Sequence, residues 1–297
     1  MIYSRLRAFH AVASAGSFTR AARSLGVTQP TLSAQVKALE DDYGVALFDR
    51  RGRGIVVTTL GEQLLEITRR MFLFEEEAGE LLGRARDLTT GHLRVGADGP
   101  YHVVPFLASF AERYPAVHIS LAIGNSEEIL DSLIHYRADV AIVADIAADP
   151  RLERILCAEH RLVAFVPRQH GWARRRGVRI GDFEGQPIIM RETGSKTRQL
   201  FELAIAKAKV RSRVVMEIES REAVREAVAA GLGIGLVSEA EFGHDERLVA
   251  VPITGAELGT REYLVCLKER RRLRIVSAFF DQAYLRLTGL KPGVSRS

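Results

Sequence analysis

An α/β protein led by an all-α-dominated N-terminal module is the fold class this sequence predicts, and three observations carry that reading. Helical spacing with tight caps fills residues 1–58, a 4-3-4-3 spacing of apolar residues runs through 59–90, and strand and helix patterns alternate through 91–297. A chain of 297 residues has room for two or three domains at about 100–200 residues each. With 47% hydrophobic and 27% charged residues it is globular and far from the composition of a disordered chain. No window approaches the ~18–20 apolar residues of a spanning helix, and the N-terminus has no continuous apolar run of the kind a cleaved signal needs. Neither a membrane partner nor export is expected, which leaves the cytoplasm. Cys157 and Cys266 form no CxxC pair, and the eight histidines form no HExxH cluster, so no disulfide, metal or cofactor is predicted.

In the first module, Leu6, Phe9, Val12 and Ala13 mark the apolar face of one helix, which ends at Ala15-Gly16. Ser17 then caps a short second helix with Phe18, Ala21, Ala22 and Leu25 on one side, and Gly26 closes it. Thr28 caps a third helix with Pro30 in its first turn and Leu32, Val36 and Leu39 facing inward. Two short helices joined so tightly are a helix-turn-helix. Gln29, Ser33 and Lys37 form the outward stripe of the third helix, where Gln can pair with adenine and Ser can reach base or phosphate. An ordinary solvated face would look the same, but the segment beyond this helix favours DNA. Asp49 to Gly54 and then Ile55 to Val57 read as a hairpin with a basic, glycine-containing tip, a wing. Arg53 at that tip suits the narrow minor groove, with Arg50 and Arg51 on phosphates. Residues 1–58 hold eight basic and four acidic side chains, so most of the chain's net charge of +5 sits in this module. The arginine runs at 174–176 and 270–272 read as solvated surface.

The run FTRAARSLGVTQPTLS at 18–33, continued by Leu39-Glu40, Gly44, Leu47-Phe48 and Arg50, resembles the winged helix-turn-helix of the LysR-type transcriptional regulators. That resemblance implies a double-stranded DNA partner, with the family's DNA-reading positions on Gln29, Pro30 and Ser33 and the wing arginine at Arg53. One departure is Ala34, where many members carry a basic residue, so Lys37 or Arg51 is expected to supply more of the charge.

From Thr58, apolar residues recur at Leu60, Leu64, Ile67, Met71, Phe74, Ala78, Leu81, Ala85 and Leu88. Four heptads of such a seam predict a coiled coil over 59–90, a rod of about 45 Å at ~1.5 Å per residue. Paired in a homodimer, two rods would hold two recognition helices for half-sites about 34 Å or a multiple apart. The resemblance implies the same dimer and its assembly into a homotetramer.

From 91 onward the pattern is strand His92–Ala97, helix Val103–Arg113, strand Val117–Ile123, helix Glu127–Tyr136 and strand Asp139–Val143. A second cycle comes next with Leu162–Val166, Ile188–Met190, Lys196–Lys207, Val214–Ile218, Arg221–Ala230 and Ile234–Val237, closed by strand Tyr263–Leu267 and a helix near 273–287. Two α/β lobes with a cleft between them are expected, and ligands of open α/β sheets bind outside the carboxyl ends of strands. The resemblance implies a periplasmic-binding-protein-like effector domain, with lobe I about 91–161 and 267–297, lobe II about 162–266, and crossings near Glu159–Arg161 and Arg261–Leu267. Two nucleotide-like motifs are set aside. Gly194-Ser195-Lys196-Thr197 lacks the upstream glycine of a P-loop at Ile189, and the glycines at 231, 233 and 235 end a helix and enter a strand, the reverse of a dinucleotide fingerprint.

Candidate cleft residues are Asp98, Gly99, Pro100 and Tyr101 after the first strand, Asn125 and Ser126 after the second, Ser195, Thr197 and Arg198 after Met190, and Ser220 and Arg221 after Ile218. Three of these four segments sit at predicted helix N-termini, where free N–H groups favour anions, and Arg198 and Arg221 add charge. A small anionic effector is therefore expected. The segments 191–198 and 220–228 also resemble the regulators associated with aminoethylphosphonate catabolism, which implies a phosphonate against Ser195, Thr197, Arg198 and Arg221 and an ammonium group at Asp98. No nucleophile, base and orienter set is found, so an enzyme is not expected. The expected function is a regulator whose DNA binding answers to an effector, acting on the transcription machinery if it activates. The alternative is a solute-binding protein or enzyme built on the two-lobed domain.

Overall fold

The computed structural model describes residues 2–49, 55–82 and 91–289, and they divide into two compact units, Met1–Asp87 and Leu88–Ser297. In the first unit α1 (Ile2–Ala15), α2 (Phe18–Leu25) and α3 (Gln29–Tyr43) are followed by β1 (Phe48–Asp49), β2 (Val56–Val57) and α4 (Thr59–Leu82). The caps are those the residues dictate. Ser17 accepts from the Arg20 N–H, Gly26 adopts φ 66° to close α2, and Thr28 accepts from the Thr31 N–H ahead of Pro30. Phe9, Val12, Ala21, Leu32, Val36 and Leu39 pack into one apolar core with Leu47, Phe48 and Leu65. Strands β1 and β2 pair antiparallel, Phe48 with Val57 and Asp49 with Val56, and so frame the expected wing. Its arginines Arg50, Arg51 and Arg53 lie outside the described residues.

The second unit holds β3 (Gly91–Ala97), α5 (Pro100–Arg113), β4 (Val117–Ile123), α6 (Ser126–Ile134), β5 (Val140–Ala144) and the 16-residue β6 (Leu152–Pro167). It continues with β7 (Val178–Arg179), β8 (Pro187–Arg191), α7 (Lys196–Ala208), β9 (Arg213–Ile218), α8 (Arg221–Ala229) and β10 (Gly235–Ser238). The last elements are α9 (Glu239–Phe242), β11 (Leu248–Thr254), β12 (Gly259–Leu267) and α10 (Arg274–Thr288). Strands β4, β3 and β5 run parallel, with β12 antiparallel beside β5.

Strand β6 is what joins the lobes. Its residues 152–161 pair with β12, and from Leu162 onward it pairs with β10 and β11. Only its second half reads as an apolar run, which is why the sequence predicts a strand only from Leu162. The other crossing lies at the start of the expected 261–267 stretch. Glu262–Val265 pair with β5 in the first lobe, so the chain has already crossed by Arg261, and 262–266 belong to lobe I rather than lobe II. Lobe I packs Leu93, Val95, Phe106, Phe110, Phe279 and Phe280 on one sheet face and Ile129, Leu133 and Val143 on the other. Trp172, Phe183, Phe201, Met190 and Leu236 fill lobe II.

Candidate DNA interface and effector cleft

In the N-terminal unit, Gln29 and Pro30 are exposed at the start of α3, Ser33 is half-buried and Lys37 is exposed one turn on. Gln29 Nε2 donates to Ser33 Oγ at 3.1 Å, so the two polar groups form one outward pair at the helix N-terminus. Leu32, Val36 and Leu39 hold that face outward by anchoring the opposite one. On α4 the predicted seam divides. Leu60, Ile67, Phe74 and Ala78 are exposed, Met71 is half-buried, and Leu64 leans onto the unit's own core. Leu65 and Thr68 are the residues that bury against that core, while Phe72 stacks on Tyr3 and His10. The side chain of Leu81 lies outside the described residues.

In the effector unit every helix after one of the four candidate loops begins at the cleft. Gly99, Asn125, Ser195 and Ser220 are the N-caps of α5, α6, α7 and α8. The sequence predicts α5 only from Val103; the structure starts it at Pro100, and with that the first loop joins the other three as a helix terminus. Three adjoining cavities result. The outer one, about 710 Å³, is lined by Pro100, Asn125, Ser220 and Arg221 among others. An inner pocket with about 20 Å³ of free space brings together Asp98, Asn125, Ser126, Ser195, Thr197 and Arg221. A third, about 120 Å³, runs beside Pro100, Tyr101, Thr197 and Arg221 to Phe165, Val224 and Leu236.

The cap residues differ in what they leave for a ligand. Asn125 is spent on a capping box, accepting from the Glu128 N–H through Oδ1 while its own N–H donates to Glu128 Oε2, both at 3.0 Å, which leaves its side-chain amide. Ser220 accepts from the Ala223 N–H and donates to Glu222. Ser195 is buried and makes no capping bond through its side chain. Ser126 donates to Asp98 Oδ2 at 2.5 Å, and the Ala144 N–H donates to the same oxygen at 2.8 Å. Gly99 leaves space: a Cβ there would run into Glu241 Oε1.

Arg198 lies apart from the cavities. Expected to face an anion, it instead donates to Glu202 Oε1 at 2.8 Å, Glu217 Oε2 at 2.7 Å and the Arg191 carbonyl at 3.0 Å, and it lines none of the three cavities. Two carboxylates share its charge, and it is turned away from the cavities. Arg191, the first residue of the segment 191–198 and not itself a predicted cleft residue, borders the cavities instead. It is buried, borders all three cavities with Arg221, and donates to Glu192 through Nε and Nη2 at 2.6 and 2.7 Å. Lys196, Ser238, Glu241, Thr260 and Glu262 also line the inner pocket without having been singled out. Arg191 ends an apolar strand and Glu262 sits in a strand that crosses between lobes, positions where a charge reads as a boundary or a solvent-facing residue.

Electrostatically the inner pocket is unusual. Burial pushes the Asp98 and Glu241 carboxyls up, with Arg221 pulling against it at 3.4 Å from Glu241. Burial, reinforced by the charges of Asp98, Glu241 and Asp145, carries Glu262 to about 9. Burial also pushes His102 down to about 4, so its ring is neutral beside Glu262. Cys157 and Cys266 are free thiols raised by burial to about 11 and about 12. Among the described residues no group of His, Cys, Asp or Glu could hold a metal, and no helix is long and apolar enough to cross a membrane.

Matches with known proteins fall in both units of the chain. Residues 3–62 match the family model described as bacterial regulatory helix-turn-helix protein, lysR family, and residues 86–285 match the LysR substrate binding domain. The HTH-type transcriptional activator CmpR of Synechocystis sp. is 31% identical over 281 residues, covering 93% of this chain and 92% of that one. The HTH-type transcriptional regulator CbbR of Sinorhizobium medicae is 31% identical over 284 residues, with 93% and 90% covered. Among solved structures, the regulatory domain of Synechocystis PCC6803 CcmR in complex with 2-PG is 26% identical, covers 67% of this chain and 99% of that one, and superposes with a TM-score of 0.62. Full-length CbnR complexed with its target DNA shares the fold at 24% identity, with 96% and 99% covered and a TM-score of 0.67.

Proposed function

From the premise that this chain belongs to the LysR family of transcriptional regulators, we propose that its winged helix reads an operator and that a small anion in the effector cleft changes how it does so. Family membership makes it a regulator with a helix-turn-helix and an effector-binding domain, and not an enzyme. Gln29, Pro30 and Ser33 read base edges in the major groove, Lys37, Arg50 and Arg51 meet phosphates, and Arg53 enters the minor groove. The exposed stripe Leu60, Ile67, Phe74 and Ala78 belongs to the dimer seam, which the sequence spacing carries on to Leu81; Met71 lies at its edge and Leu64 braces the rod against its own domain. Two-fold pairing suits a two-fold operator in cytoplasmic DNA, and dimers pair into tetramers.

The observation that carries the effector reading is the convergence of four helix N-termini with Arg191 and Arg221 on one cleft. Free N–H groups and the positive ends of helix dipoles favour an anion there. A relative's regulatory domain bound to 2-PG supports the same class of ligand. Aminoethylphosphonate is the specific candidate, with Ser195, Thr197, Arg191 and Arg221 as the donors that face it. Binding favours one arrangement of the lobes, and linkage passes that preference to the oligomer on DNA, where an activator would engage the transcription machinery.

The test is a titration of purified protein against DNA upstream of its own gene and its divergent neighbour, beside random DNA at fixed salt. Each is run with aminoethylphosphonate, 2-PG, phosphate and acetate. Sequence-selective binding altered by a phosphonate or phosphate ester is expected. Selective binding that none of the four alters would remove the anionic effector and keep the regulator.

A further inference from the structure

The inner pocket is poorly built for an anion alone. Its three cationic side chains, Arg191, Lys196 and Arg221, meet three buried carboxyls, Asp98, Glu241 and Glu262. Arg191 is already engaged by Glu192, and Lys196 donates to Gln199 at 2.9 Å. On the acidic side, polar capacity is left over. Glu262 Oε2 and Ser238 Oγ are buried, line this pocket and have no hydrogen-bond partner among the described residues. Buried polar atoms left in that state cost free energy, so a native pocket that keeps two of them is expected to satisfy them with something else. The free volume of about 20 Å³ admits a group the size of one water or one ammonium.

We propose that Asp98, Glu241 and Glu262, with the Ser238 hydroxyl, form a subsite for an ammonium group, so that the effector is a zwitterion whose anionic end lies against Arg191 and Arg221. The proposal rests on the anionic-effector reading and goes beyond the aminoethylphosphonate candidate in giving the ligand class, amino-bearing anions, and in adding Glu241, Glu262 and Ser238 to Asp98 as its partners. A water would satisfy the same lone pairs, but only a cation also gains from the charge that Glu262 acquires when its proton is released. Around Glu262 stand Asp98 beyond β3, His102 on α5, Asp145 beyond β5, His160 on β6, Arg221 on α8 and Glu241 on α9. Burial and the neighbouring carboxylates keep Glu262 protonated at neutral pH in the empty cleft. When the ammonium arrives, the Glu262 proton leaves to solvent, and the new carboxylate accepts from the ligand. Affinity for an amino-bearing anion therefore rises with pH below about 9, by up to about tenfold per unit for one released proton.

The experiment is calorimetric titration of the full chain with matched pairs: aminomethyl-, 2-aminoethyl- and 3-aminopropylphosphonate against methyl-, ethyl- and propylphosphonate, at pH 7.5 and 8.5 and in buffers of different ionisation heat. At least one amino compound is expected to bind about tenfold or more tighter than its alkyl partner, the scale of a charge-assisted hydrogen bond, and to release close to one proton. In Glu262→Gln that preference falls to within about threefold. Amino and alkyl members binding alike in the wild type would overturn the subsite and leave the anion cleft standing, whereas binding of neither class would overturn both readings. A preference that survives Glu262→Gln, or one without proton release, would also overturn it. Should Glu262→Gln fail to fold, the proton release and the pH dependence of the wild type decide alone.

Discussion

Among the described residues, the core of the N-terminal unit buries Thr68 as its one polar side chain, whereas the effector unit buries twelve polar or charged ones, nine of which line the inner pocket. The difference comes from the size of what each unit meets. A duplex is read from outside, so on the proposed reading a rigid apolar core holds Gln29 and Ser33 outward, and such polar groups stay in water until the groove arrives. A small molecule is read from inside, where charged groups must be desolvated in advance and held by one another. The first unit can therefore be damaged by removing carbon and the second by changing charge.

Deleting core carbon from the reader gives the largest effect. Leu32→Ala should cost about 2–5 kcal/mol because its side chain is wholly buried between α1, α2 and α3. In thermal unfolding followed by calorimetry the N-terminal unit is expected to melt early and DNA binding to vanish, while phosphonate binding by the effector unit persists. Loss of phosphonate binding together with DNA binding would break the comparison, since the two cores would then be one.

Charge in the effector unit gives the next effect, and its sign is fixed by direction. Glu262 titrates near 4.5 when unfolded and about 9 when folded, so the folded protein holds the extra proton and stability falls as pH rises through that window. His102, lowered to about 4, acts oppositely and only below its ordinary value of 6.5, where stability falls as pH falls. Between pH 7 and 9 Glu262 therefore dominates this pair, with at most about 1.4 kcal/mol lost per pH unit. Urea titrations of the ligand-free protein at pH 7, 8 and 9 should show the decline, and Glu262→Gln should flatten it. An unchanged slope in the variant would assign the pH dependence to another group.

How far each unit is legible in the sequence obeys the same division. Local chemistry writes the reader: Ser17, Gly26, Thr28 and Pro30 each fix a helix end by their own hydrogen bond or dihedral, and the observed caps fall on them. In the effector unit three of the four capping loops can be found in a similar way, since Asn125, Ser195 and Ser220 are cap-type residues, whereas Gly99 has no side chain to cap α5. Arg191, Glu241 and Glu262 cannot, because nothing in a charge's sequence neighbours says that it will be buried. Glu241 lies on a four-residue helix, and Glu262 pairs with Ala158 and Ala144 across strands far away in the chain. Strand β11, with Pro252 within it, and the first half of β6 escape a sequence reading for a related cause: their pairing is long-range.

Smaller effects come from the outward face of α3. Ser33→Ala should weaken specific binding by about 1–3 kcal/mol and relax base preference, leaving binding to random DNA nearly unchanged. Lys37→Ala should weaken both and reduce the salt slope by about 1. Fluorescence anisotropy on operator and random duplexes across a salt series separates them. Equal losses on both duplexes for Ser33→Ala would move that residue from base reading to phosphate contact.

The smallest effect is expected at Arg198, and it distinguishes a residue that meets the ligand from one that holds such a residue. Its three acceptors are Glu202, Glu217 and the Arg191 carbonyl, and both glutamates are exposed, so Arg198→Ala should cost no more than about 1 kcal/mol of stability. The proposed anion site keeps Arg191 and Arg221. Phosphonate affinity should therefore fall by less than about tenfold, through loosening of the strand end that carries Arg191, whereas Arg221→Ala removes a donor that borders all three cavities and should cost about a hundredfold or more. Parallel titrations of the two variants read the ratio directly. If Arg198→Ala were the more damaging, its guanidinium would have to leave Glu202 and Glu217 for the ligand, and the cleft would close around a charge that the unliganded protein keeps outside it.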